Sequence, residues 1–131
     1  MQNYNVILMK VVAPELEMAR QKGKFPFPQT PRQAQEDDII LLSEHYKSRS
    51  PEAEPIRYRI KYKSCNDLNS TNNLNGRSYR VEILGRDCRE LRRGFSMHEE
   101  QVSSKNYKRA PFIAYLSPED IHALMIKNYL D

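Results

Sequence analysis

Residues 56–63 read Ile-Arg-Tyr-Arg-Ile-Lys-Tyr-Lys, with a cation at every second place: Arg57, Arg59, Lys61 and Lys63. Successive side chains of an extended strand point to opposite faces. The spacing therefore predicts a row of four positive charges on one face, with Ile56, Tyr58, Ile60 and Tyr62 packed on the other. Alternate residues of an ideal strand lie about 6.6 Å apart, close to the phosphate spacing of an extended nucleic-acid strand. Four phosphate contacts would give a salt slope of about −3.6 and an affinity loss of about a hundredfold between roughly 50 and 200 mM salt. Such contacts hold a strand in place without reading its bases. The same row also suits a plain edge strand, where cations discourage aggregation.

The rest of the charge follows the same bias. The 131 residues carry a net charge of +4. Residues 56–93 hold ten Lys/Arg against four Asp/Glu, so this third of the chain is +6 and the remainder −2. Concentration of charge, more than its total, marks an anion-binding face. Arg80, Arg86, Arg92 and Arg93 extend the candidate phosphate-binding set beyond the four alternating cations. Reading a base needs a pocket with aromatic walls. Phe25, Phe27, Arg32 and Tyr46, in two loop-like segments, are the candidates for it.

Other chemistry is sparse. The three histidines, His45, His98 and His122, form no HExxH or close Cys/His cluster, so no metal is expected. No GxGxxG, P-loop or GxSxG occurs, and four glycines in all argue against a backbone phosphate cradle. No cofactor and no catalytic residue is assigned. An enzyme acting on nucleotides would have to draw on Asp37, Asp38, Cys88 or His98. Cys88, beside Arg86 and Arg89, is expected to have a lowered thiol pKa if exposed. Cys65 and Cys88 stand far apart, no apolar run approaches the ~20 residues of a membrane span, and no signal peptide opens the sequence. A cytoplasmic protein with reduced thiols and no membrane partner is the expectation.

The elements that must position these residues are legible in outline. Residues 4–12 predict a buried strand. Residues 13–23 predict a short helix, with Pro14 in its first turn and Gly23 at its end. The three prolines of 24–35 predict an irregular loop. Residues 38–43 predict a second buried strand and 56–63 a third. Residues 64–76, rich in asparagine and ending in Asn-Gly, predict a flexible loop. Residues 77–85 predict the returning strand, with Tyr79, Val81 and Ile83 inward. An arginine-rich turn over 86–94, a short helix from Ser96 to about Lys105 and a strand over 110–116 follow. Ser117-Pro118-Glu119-Asp120 opens a last helix, with Ile121, Leu124, Met125 and Tyr129 on one face.

This order resembles a known pattern. Gln-Glu-Asp-Asp-Ile-Ile-Leu-Leu-Ser-Glu-His-Tyr-Lys-Ser (35–48) resembles the glycine–aspartate and hydrophobic-strand segment of PUA-like domains. Asp38 stands at that family's aspartate and Asp37 at its usual glycine. Residues 56–63 are similar to the barrel strand that follows it. The stretch 110–126 is similar to the closing strand and helix of the EVE and ASCH branches. The resemblance covers most of the sequence. It implies one α+β domain over 1–131, a small mixed or antiparallel barrel-like sheet flanked by short helices. It further implies RNA or DNA binding, with a modified nucleotide read in a cleft beside the barrel. The reading is thus a non-enzymatic nucleic-acid-binding module. The alternatives are a protein-interaction module, recruiting a partner through a strand edge, and a small nucleotide-acting enzyme.

Overall fold

The structure, a computed structural model, describes residues 4–44, 56–74, 77–97 and 112–130, without the side chains of 69–74. The predicted loop at 45–55 with Tyr46, and the predicted helix at 96–105 with His98, lie essentially outside the described residues.

Strand β1 (Val6–Val11) is buried at all six positions. Its branched and apolar side chains go alternately to two cores. Val6 and Leu8 join one, and Ile7, Met9 and Val11 the other. A strand buried on both faces must be central, and β1 is. It pairs in parallel with β3 (Ile39–Glu44) and antiparallel with β6 (Ile113–Tyr115). Helix α1 (Ala13–Lys22) covers the crossover from β1. Pro14 lies in its first turn, and Gly23 closes it at φ 70°, a left-handed conformation that glycine adopts without a Cβ clash.

Residues Lys24–Phe27 form a strand, β2, where three prolines predict a loop. Among the described residues β2 is an edge strand paired with β5 alone, so Pro26 can turn its missing donor outward. The hairpin of β4 (Ile56–Leu74) and β5 (Arg77–Phe95) is also far longer than predicted, 19 residues on each side. The asparagine-rich stretch continues the ladder to Leu74↔Arg77, and the arginine-rich segment is strand, not turn. A two-stranded ribbon asks for backbone pairing and not for an apolar pattern, so polar residues conceal it.

The sheet order is β2-β5-β4-β3-β1-β6. Among the described residues it is a mixed six-stranded sheet with two short helices, α+β as expected and not closed into a barrel. All six strands send side chains to one interior core, which includes Phe25, Ile40, Ile60, Val81 and Ile113. The edges β2 and β6 meet through side chains. The Phe27 ring lies 6.1 Å from that of Phe112, edge to face, and the Arg77 guanidinium sits over both rings at 5.6 and 5.1 Å. Helix α2 (Pro118–Ile126), capped by Ser117 Oγ accepting from the Asp120 N–H, covers the other face of the sheet. Ile121, Leu124 and Tyr129 are buried there against Leu41, Leu91 and Phe95, as predicted, whereas Met125 is 41% exposed.

Gly85 tests how tightly the hairpin is coiled. A Cβ there would lie 2.9 Å from the Lys61 carbonyl oxygen and 2.5 Å from Ile60 Cδ1. The side chain of Ile60 could give way but the backbone could not. Gly85→Ala is expected to cost about 1–3 kcal/mol, measured as a lower urea midpoint with unchanged slope.

Candidate nucleic-acid interface

The four alternating cations do not form one row. Tyr58, Ile60 and Tyr62 face the interior core as predicted, but Ile56 belongs to the outer core with Leu91 and Phe95. The register shifts between Ile56 and Tyr58 against β5, and between Leu42 and Ser43 against β3. Arg57 is the extra residue of the bulge against β3, and a bulge re-aims the side chains around it. Arg57 therefore lines a small hollow beside α1, with Arg20 and Glu44. Lys63 is exposed at a second shift, between Tyr62 and Ser64. Arg59 and Lys61 remain together on the outer face, opposite Leu41 and Ile39 of β3.

What the outer face gains comes from β5. Arg59 pairs with Arg89, and Lys61 with Arg86. Residues directly opposite in an antiparallel pair share a face, and like charges there are unfavourable. Two such pairs in succession cost the sheet stability, and an anion would relieve that cost. Asp87, in the left-handed region at φ 55°, takes up the extra residue between Arg86 and Arg89. It thereby turns both arginines to the same side, a device that no strand periodicity would reveal. Arg93 joins them, its guanidinium 5.3 Å from the ring centre of Tyr129. Arg92 is exposed on the same strand. Arg89 is not among the residues that the sequence pattern singles out.

The exposed cations carry light surface pairs. Arg86 donates to Glu36 at 2.7 Å and lies 3.6 Å from Asp37, and Arg89 lies 3.6 Å from Asp87. Pairs this exposed are worth about 0–1 kcal/mol and exchange easily for phosphate. Arg59 differs. It is 5% exposed and its Nε has no hydrogen-bond partner. Arg59 and Lys61 both line a cleft of about 740 Å3 between the sheet, the loop at Glu36–Asp37 and the end of α2.

The remaining predicted residues are elsewhere. Arg80 is exposed and lines a separate hollow with Ser78 and Phe112. Phe25 and Phe27 are fully buried in the interior core, so they wall no open pocket. Leaving two such rings in water would forfeit several kcal/mol of burial, and β2 pairing turns both inward. Arg32 is exposed, and Tyr46 lies outside the described residues. Asp38 is buried and fully occupied. It accepts from the Asn5 N–H at 2.9 Å, Asn5 Nδ2 at 3.2 Å and the Gln35 N–H at 2.7 Å, so it staples the turn before β3. Cys88 packs toward the interior core, on the opposite side of the sheet from Asp37. Burial pushes its thiol up, against the pull of Arg20, where exposure beside arginines would have lowered it. Burial, with Asp67 nearby, takes Cys65 up to about 11. Both cysteines are unpaired. Among the described residues no helix is long and apolar enough to cross a membrane, and no three His, Cys, Asp or Glu side chains gather as metal ligands.

Comparison with solved structures places this architecture. The crystal structure of ASCH from Zymomonas mobilis matches with a TM-score of 0.65, covering 92% of this chain and 94% of that one. The fold is that of the ASCH proteins. Two point-mutant forms of the same protein match with TM-scores of 0.64, one of them over 97% of this chain and 99% of that one. Sequence identity is 9–11% throughout. ASCH proteins belong to the PUA-like superfamily, the resemblance read from residues 35–48. No protein-family model and no curated protein sequence matches the chain. The ASCH fold is thus retained with almost none of the sequence in common, and the cationic outer face must be argued from this chain's own residues.

Proposed function

We propose that the chain is a nucleic-acid-binding module that holds single-stranded RNA along the outer face of β4 and β5. The observation that carries this is the two successive like-charge pairs, Arg59↔Arg89 and Lys61↔Arg86, with Arg93 beyond them. A sheet that sets cations against cations is less stable than one that alternates charge, and a polyanion is the ligand that repays it. Glu36 and Asp37 at the margin favour RNA over DNA, because a carboxylate can accept from a ribose 2′-hydroxyl. The ASCH fold, as a PUA-like fold, is consistent with this role.

The test is fluorescence anisotropy with an unstructured RNA 12-mer across a salt series. Five phosphate contacts to a single strand give an expected slope of about −3.5. Exchanging Arg86, Arg89 and Arg93 together for glutamine should bring the slope near −1.4 and weaken binding at low salt by about tenfold or more. All three are surface residues, so circular dichroism should be unchanged. Salt-independent binding, or an unaltered slope in the triple variant, would overturn the assignment.

A further inference from the structure

The cleft floor asks for more than a passing backbone. Arg59 is buried to 95% with an unsatisfied Nε, and no carboxylate among the described residues pairs with it or with Lys61. A buried guanidinium that no described carboxylate pairs with is among the costlier arrangements in a protein interior. It persists here beside a cleft of about 740 Å3, a volume that suits a nucleotide. We propose that this cleft captures a terminal phosphate, the phosphomonoester at the end of a nucleic-acid strand or of a free nucleotide.

Three features select that ligand. A phosphomonoester carries a charge of about −1.5 to −2 at neutral pH, against −1 for an internal phosphodiester. Two cations, Arg59 and Lys61, match the dianion. Ile39, Met125 and Leu130 give the cleft an apolar wall beside these cations, where the base or ribose attached to a phosphate can lie. Glu36 and Asp37 at the rim repel a simple anion but can accept from the hydroxyls of an attached ribose. A nucleotide satisfies both ends of the cleft, whereas inorganic phosphate satisfies one. This extends the RNA-binding reading, since it makes the surface of β5 the track and the cleft its terminus.

The experiment compares one RNA sequence in 5′-phosphorylated, 3′-phosphorylated and unphosphorylated forms, together with a nucleoside monophosphate alone, against the full chain and Arg59→Met. Met fills similar space without charge, so the variant should fold with a melting temperature equal to or above that of the unliganded parent. The parent should bind one phosphorylated end at least about tenfold tighter than the unphosphorylated RNA, as an added charge-assisted contact implies. Arg59→Met should erase that preference, while for unphosphorylated RNA it should only lower the salt slope by about 0.7, the share of one phosphate contact in five. A stabilising shift by the nucleoside monophosphate, absent in Arg59→Met, identifies the free nucleotide as a ligand as well. Equal affinity for all three RNAs with no shift by the monophosphate overturns the pocket and leaves the RNA track standing. A monophosphate shift without any RNA binding overturns the track and leaves the pocket standing. A melting temperature well below the parent's in Arg59→Met would show that the arginine serves the fold, and would overturn the assignment of Arg59.

Discussion

Glu15→Ala should cost the fold about 3–5 kcal/mol, the loss typical of removing one partner of a buried ion pair. In a chain of this size that is a fall of about 10–20 °C in melting temperature. Glu15 is a helix residue with no exposed side-chain surface, and it gathers three donors. Its Oε1 accepts from Arg77 Nη1 at 2.5 Å and from the Val12 N–H at 3.2 Å, and its Oε2 from the Tyr79 hydroxyl at 2.7 Å. Alanine would leave Arg77 without its carboxylate and the Tyr79 hydroxyl without this acceptor, while uncapping the first turn of α1. Differential scanning calorimetry reads the loss directly.

The same residue sets a pH dependence with a definite sign. Burial pushes the Glu15 carboxyl above its ordinary value of 4.5, although Tyr79, Arg77 and the Val12 N–H all pull the other way. Burial and pairing thus disagree, and the net direction is upward because the side chain is wholly inside. A folded pKa above the unfolded one means a contribution to stability that is complete below the unfolded value. It is lost as pH rises through the folded value. The amide introduced by Glu15→Gln cannot ionise, so the parent should lose ground to that variant as pH rises from the ordinary value of 4.5 through the raised folded value. Paired urea titrations across that range check it. A parent that gains on the variant would mean that Arg77 outweighs burial.

The second large effect is at the seam. Phe27→Ala should cost about 3–5 kcal/mol, the range for emptying an aromatic site in a core. Phe27 is fully buried, edge to face with Phe25 at 5.9 Å and with Phe112 at 6.1 Å, and lies under Arg77. No backbone hydrogen bonds join β2 to β6, so these rings and the arginine are what bring the two edges together. The variant should therefore show faster amide exchange at Ile113–Tyr115 as well as at β2. Loss confined to β2 would mean that β6 is held by β1 alone.

How much of this is legible in the sequence depends on what each element buries. β1 and β3 are, because strands covered on both faces are continuous apolar runs. α1 and α2 are, because Pro14, Gly23 and Ser117 mark their ends. β2 is not, since the tolerance of Pro26 depends on there being no neighbour on one side, which only the topology tells. The interface is half legible. The excess of arginine and lysine is plain, but the alternation of 56–63 suggests a straight row that two bulges break. Bulges depend on the partner strand, so periodicity alone groups Arg57 with Arg59 and passes over Arg89. The aromatic pocket expected from Phe25 and Phe27 becomes core for a related reason. A proline-spaced pair of rings looks like a loop until its pairing partner is known. The burial of Arg59 has no sequence signature at all, because it arises from α2 closing over the sheet some sixty residues later in the chain.

The placing of β1 has a consequence for synthesis. Its partners begin at Ile39 and Ile113, so of these six strands the first to be synthesised is among the last to be completed. Until residue 115 emerges, one flank of a ribbon apolar but for Lys10 stays open to any other nascent chain. The β4–β5 hairpin, by contrast, needs only its own segment and can form early. The charged ribbon would then act as a soluble escort for the greasy one, keeping the half-made protein in solution while translation finishes.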